Sequence, residues 1–161
     1  MNRNYIAGEW VASDDAVENR NPSDVTDLVG LFAQAGTAQL ETAIEAAGGA
    51  QKIWQATGLE ARQTALMKIG NALIERADEL GELLSREEGK PRAEGRGEVY
   101  RAGQFFTYYA AEVLRQIGDN ADSVRPDIEI DVRRDPVGIV AVVSPWNFPT
   151  ATAVWKIAPA L

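Results

Sequence analysis

Leu66, Ile69, Leu73, Ala77, Leu80 and Leu84 follow one another at steps of three and four residues. That spacing lays one apolar stripe along a helix or a pair of nearly collinear helices. Gly89 is placed to cap it, because glycine enters the left-handed conformation that closes a helix without a steric penalty. After Pro91 the same spacing returns in Val99, Ala102, Phe106, Tyr109 and Val113, which predicts a further helix ended by Gly118-Asp-Asn120. An earlier helix, with Thr37 as its cap, carries Leu40, Ile44 and Ala47, and Gly48-Gly49 weaken its middle before Ile53-Trp54.

Shorter patterns predict strands. Tyr5-Ile6 and Glu9-Trp10-Val11 flank Ala7-Gly8 as a small hairpin, and Leu28 to Ala33 reads as β after the turn at Asn21-Pro22-Ser23. Beyond Pro126, Ile128, Ile130 and Val132 alternate with Glu129, Asp131 and Arg133, as expected of a strand with one wet face. Pro136 separates it from the unbroken apolar run Val137-Gly-Ile-Val-Ala-Val-Val143, which reads as a buried strand. That run empties into Ser144-Pro-Trp-Asn-Phe-Pro149 and a helical stretch from Thr150 to Leu161. The two prolines stiffen a turn that presents an amide between two aromatic rings at a strand's carboxyl end, where open α/β sheets bind ligands.

Composition narrows the chemistry. With 161 residues, 45% hydrophobic and 25% charged, the chain has an ordinary globular balance. A net charge of −8 offers no surface for nucleic acid or for an anionic membrane. No apolar run approaches a membrane span and the N-terminus lacks a signal-peptide core, so a cytoplasmic protein is expected. The sequence has no cysteine and no histidine, which excludes thiol nucleophiles, disulfides, Cys/His metal sites and histidine-based triads; no metal site is expected. No G-x-S-x-G elbow, P-loop or H-E-x-x-H motif occurs, and Gly95-Arg-Gly97 is only a partial glycine motif inside a helical pattern.

Seven segments in order resemble the N-terminal part of the NAD(P)-dependent aldehyde dehydrogenase superfamily. They are Tyr5-Ile-Ala-Gly-Glu-Trp-Val11, Asn21-Pro22, Glu87-Glu-Gly-Lys-Pro91, Tyr108-Tyr-Ala110, Arg134-Asp-Pro-Val-Gly138, Pro145-Trp-Asn-Phe-Pro149 and Trp155-Lys-Ile-Ala-Pro-Ala-Leu161. Arg86-Glu-Glu-Gly-Lys90, Arg101-Ala-Gly-Gln104 and Ser123-Val-Arg-Pro126 look most like α-ketoglutarate semialdehyde dehydrogenases. The resemblance implies an α/β fold: the N-terminal portion of the aldehyde dehydrogenase fold, with helices, the start of a Rossmann-like parallel sheet and an oligomerisation arm. It further implies that residues 1–121 belong to the cofactor-binding domain, 122–135 form the arm strands, and 136–161 hold the first strand and helix of the Rossmann-like core. A homo-oligomer is expected.

The chemistry implied is attack of a cysteine thiolate on an aldehyde, hydride transfer to NAD or NADP, and hydrolysis of the thioester by water that a glutamate activates. The family's cysteine, that glutamate and its glycine motif lie later in sequence than Leu161. The resemblance therefore implies a segment of a longer enzyme, inactive alone and binding cofactor weakly or not at all. The alternative is a non-catalytic truncated module acting through protein contacts.

Residue by residue, Asn147 matches the amide donor to the thiohemiacetal oxyanion, against the alternative that it only satisfies a turn. Val143, Ser144, Pro145 and Trp146, with Asn147, resemble the stretch along the cofactor. Phe148, Thr152 and Trp155 resemble the substrate tunnel, against core packing for the two rings. Lys156 matches a lysine near the water-activating glutamate, and is otherwise a surface lysine. Arg101 resembles a tunnel-entrance position where a guanidinium pairs with a distal carboxylate, and is otherwise a solvated helix arginine. Glu87, Glu88, Lys90 and Glu94 read as a solvated, charged helix end and turn.

Overall fold

The computed structural model describes residues 1–115 and 118–161. At the N-terminus, β1 (Asn4–Ile6) and β2 (Glu9–Val11) pair antiparallel with Ile6 opposite Glu9. Ala7 and Gly8 both take positive φ, 54° and 87°, so the predicted hairpin closes on the two-residue turn whose twist matches its strands. Leu28–Ala33 forms β4 as expected and pairs antiparallel with β3 (Ala16–Arg20), a strand the sequence pattern did not announce. Asn2 bridges in parallel to Phe32, so the extreme N-terminus lies along that ladder.

Helix α1 (Thr37–Ala56) starts from Gly36, and Thr37 is its first turn rather than its cap; no side chain caps it. Its C-terminus is closed by Arg62, whose guanidinium donates to the carbonyls of Trp54, Gln55 and Thr57 at 2.7, 3.0 and 3.1 Å. The long apolar stripe resolves into two helices, α2 (Leu59–Glu75) and α3 (Ala77–Glu88), and Gly89 caps the second with φ 82°. Ile69 turns outward at 40% exposure, while Leu66, Ala77 and Leu84 are buried.

Helix α4 (Arg92–Glu112) is the centre of the molecule, packed on α2, α3 and α5 (Pro149–Ala160). It approaches α2 and α3 through glycine on glycine. A methyl group on Gly103 would meet the Gly70 carbonyl oxygen at 2.7 Å, and one on Gly95 would meet that of Gly81 at 2.5 Å. Those two contacts let α4 sink until Ala102, Phe106 and Ala110 join Leu66, Val154 and Ala158 in one buried cluster and Val99 joins Ala77 and Leu84 in another. Burying Leu66 or Val99 stabilises the fold by about 1.5–3 kcal/mol each. α4 ends at Glu112 in a short 3-10 turn, Val113–Arg115, and Asp119-Asn120 open a strand instead of ending the helix.

That strand, β5 (Asp119–Asp122), pairs antiparallel with β6 (Glu129–Val132). Both are exposed throughout, so the alternating strand has two wet faces, with Ile130 and Val132 nearly half exposed. The run 137–143 differs most from expectation. It forms no strand, and Val137 and Val143 are 94% and 81% exposed. An all-apolar strand is buried only between neighbouring strands, and no described strand lies beside it. The helix that follows is present as expected, with Pro149 in its first turn. Among the described residues no helix is long and apolar enough to cross a membrane.

Candidate functional site

The turn from Ser144 to Phe148 has little packing of its own, with Trp146 at 83% exposure and Phe148 at 48%. Thr152 and Lys156 of α5 bond back to the Phe148 and Val143 carbonyls, and the rest of what holds it comes from α4 and the segment before it. Phe148, the residue preceding α5, has no side-chain oxygen with which to cap the helix. The cap is instead the Glu98 carboxylate of α4, whose Oε1 accepts the main-chain N–H groups of Thr150 and Ala151 at 2.9 and 3.0 Å. A carboxylate at a helix N-terminus satisfies orphan donors and meets the positive end of the helix dipole.

Glu98 is buried, with 1% of its side chain exposed, and its Oε2 accepts from Lys90 Nζ at 2.5 Å. The same ammonium lies 3.0 Å from Glu88 Oε2, donates to the main-chain oxygen of Asn147 at 3.1 Å, and sits 4.3 Å from the centroid of the Phe148 ring. Burial works to lower the Lys90 pKa, but hydrogen bonds to Glu98 and Glu88 and their charges outweigh it and raise it. Glu87 shifts upward because burial dominates, partly offset by the amide of Asn19. So Lys90 and Glu88 are not the solvated turn expected from their composition; only Glu94 keeps that character. The available signal was Glu98 itself, a carboxylate four residues before Ala102 and eight before Phe106 on an apolar stripe.

Asn147 is exposed, and its side-chain amide makes no hydrogen bond to another described residue. Lys156 is exposed and donates to the carbonyl of Val143, which ties α5 back to the start of the turn. Thr152 Oγ1 donates to the carbonyl of Phe148 at 2.6 Å. Trp155 packs against Phe105 with centroids 5.4 Å apart and the rings tilted by 41°, and the Arg101 guanidinium lies 5.7 Å from the Phe105 centroid. Arg101, Phe105 and Trp155 thus form a ladder across α4 and α5, in which Phe105 is the member that sequence reasoning missed. Its place four residues after Arg101 puts the two on one helix face. Arg101 also donates to Gln104 at 3.2 Å. Neither Phe148 nor Trp155 is core, both being about half exposed.

A cavity of about 670 Å³ lies elsewhere, lined by Trp54, Arg62, Glu112, Pro136 and Val140, and Lys156 is the only predicted site residue on its wall. Val143, Pro145, Trp146 and Asn147 are exposed, with Ser144 half-buried between them. Among the described residues no acidic cluster is arranged to hold a metal ion.

The aldehyde dehydrogenase family model matches residues 10–161. The chain is 40% identical to an α-ketoglutaric semialdehyde dehydrogenase of Bacillus subtilis, over 98% of this chain and 33% of that protein. It is 36% identical to an α-ketoglutarate semialdehyde dehydrogenase of Haloferax volcanii, over 99% and 33%. It superimposes with a TM-score of 0.94 on the crystal structure of an E. coli NADP-dependent enzyme at 33% identity, covering 99% of this chain and 34% of that one. The chain spans about a third of the length of the curated relatives it matches.

Proposed function

Since the chain belongs to the aldehyde dehydrogenase family, we propose that it serves as the N-terminal segment of an NAD(P)-dependent enzyme that oxidises an aldehyde carrying a distal carboxylate to the corresponding acid. Asn147 donates its side-chain amide to the oxyanion formed when a cysteine thiolate adds to the aldehyde carbonyl. The observation that carries this is an exposed amide with no partner among the described residues. An asparagine that merely satisfied its turn would spend its side chain on neighbouring backbone, whereas here Lys90 and Glu98 hold the turn and the amide bonds to no other described residue.

The nicotinamide cofactor, when bound, accepts the hydride. Val143 to Trp146 line one side of it, and Phe148, Thr152 and Trp155 line the aldehyde's approach along one face of α5. Arg101, at the outer end of the ladder, receives the distal carboxylate; relatives named for α-ketoglutarate semialdehyde support that choice. Lys156 stands at the start of the cofactor stretch through its bond to Val143. The chain by itself contains no cysteine, so this reading makes it inert alone and a weak binder of dinucleotide at most.

In the longer enzyme, Asn147→Ala is expected to lower kcat by about 10²–10³ while leaving cofactor affinity near that of the parent, because one oxyanion donor acts mainly in the transition state. Pre-steady-state measurement of thioester formation checks this. Unchanged turnover under conditions where that step limits the rate would remove Asn147 from the chemistry.

A further inference from the structure

We propose that Lys90 and Glu98 are positioning residues for the reaction, a buried charge pair whose task is to fix the direction in which Asn147 presents its amide. The proposal rests on the reading of Asn147 as an oxyanion donor. The turn has little packing with which to fix Asn147, since Val143 and Trp146 are largely exposed and Phe148 is about half exposed. Thr152 and Lys156 of α5 bond the carbonyls of Phe148 and Val143, and from outside that helix the backbone is held at two points. Glu98 fixes where α5 begins, through the N–H groups of Thr150 and Ala151. Lys90 fixes the peptide between Asn147 and Phe148, through the Asn147 carbonyl at 3.1 Å and the Phe148 ring at 4.3 Å.

The pair works as a unit. Without Glu98 the ammonium has no buried anchor on α4, and without Lys90 the Asn147 peptide is free to rotate and carry its side chain with it. Lys90 itself is set by the left-handed Gly89 before it and by Glu88 at 3.0 Å. A shift of about 1 Å in a group that must meet a reacting atom can cost about 10²-fold in rate. An amide held only through its own backbone is exposed to such a shift.

The test compares Lys90→Met, Glu98→Gln, the double variant and Asn147→Ala in the longer enzyme, each read by urea unfolding, KM, cofactor Kd and kcat. Lys90→Met strands two carboxylates, the buried Glu98 and the largely buried Glu88, and should lower stability. Adding Glu98→Gln removes the more deeply buried of the two charges while its amide oxygen still accepts from Thr150 and Ala151, so stability should return partway toward the parent. The Asn147 carbonyl remains untied, so kcat of the double variant should stay about ten- to hundredfold low with KM and cofactor Kd near the parent values. A double variant that recovers kcat together with stability would mark the pair as structural and overturn the proposal. If Asn147→Ala itself leaves kcat intact, the oxyanion reading fails and takes the proposal with it. A low Asn147→Ala with a normal double variant sinks the positioning role alone.

Discussion

Asp27 shows how one side chain can tie the N-terminal strands to the helices. Arg86 donates to both of its oxygens, at 2.9 and 2.6 Å, and Asn21 to one at 3.2 Å. The hydrogen bonds from Arg86 and then Asn21 lower the Asp27 pKa from 3.8 to about 2. A carboxyl that holds its proton less tightly when folded contributes stability that is complete above its unfolded value and is lost as pH falls through the folded one. The urea midpoint should therefore drop as pH is lowered from about 4 to about 2, and Asp27→Asn should make that drop shallower. At Arg101 the expected readout is selectivity. Its guanidinium is exposed and already touches Gln104 and Phe105, so water screens any partner it meets. Arg101→Ala should lower kcat/KM for an acid semialdehyde by about tenfold more than for an uncharged aldehyde of the same length. Equal losses would make Arg101 structural. At this scale the turn that carries Asn147 and the helix after it were legible, because flanking prolines announce them. Lys90 and Glu98 were not, because a proline and a helix turn separate them in sequence and their pairing depends on the left-handed Gly89.

The elements were legible where periodicity alone decides them. The hairpin at Ala7-Gly8, the strand Leu28–Ala33, the paired helices α2 and α3, and the starts of α4 and α5 follow from spacing, turn residues and capping. Strand β3 was missed because Ala16–Arg20 is mostly exposed and polar, with only Asn19 half-buried, so nothing alternates. The run 137–143 misled because an apolar composition states only that a segment wants neighbours, and supplies none. The two glycine contacts under α4 are invisible to periodicity, since a glycine that admits a backbone and one that merely weakens a helix look alike. They make opposite predictions. Gly103→Ala, which sets a methyl group 2.7 Å from the Gly70 oxygen, should destabilise by about 1–3 kcal/mol. Gly97→Ala, on the same helix with open space around it, should stabilise by about 0.5–1 kcal/mol. Urea unfolding of the two variants side by side measures both signs, and a Gly103→Ala as stable as the parent would mean that α4 can lift off α2 at no cost.

For the molecule as a whole, the helices bury two apolar clusters along α4, with Leu73 packed against both, while the β segments and the run after Pro136 remain at the margin. Aldehyde dehydrogenase membership was readable from the order of seven short segments, because that order reflects one chain path through one fold. The margin has a consequence of its own. Val137-Gly-Ile-Val-Ala-Val-Val143 is a seven-residue, uncharged, proline-free and largely β-branched segment that stands in water. Such segments can template one another into stacked cross-β ladders closed by dry side-chain zippers. Asp135-Pro136 before it and Pro145 after it act as gatekeepers that limit the growing ladder to this window. Concentrated solutions of the chain should gain thioflavin T fluorescence after a lag, and Val140→Lys should lengthen that lag severalfold without lowering the helix signal. The same seven residues that a sheet would hide thus set the shelf life of the chain in solution.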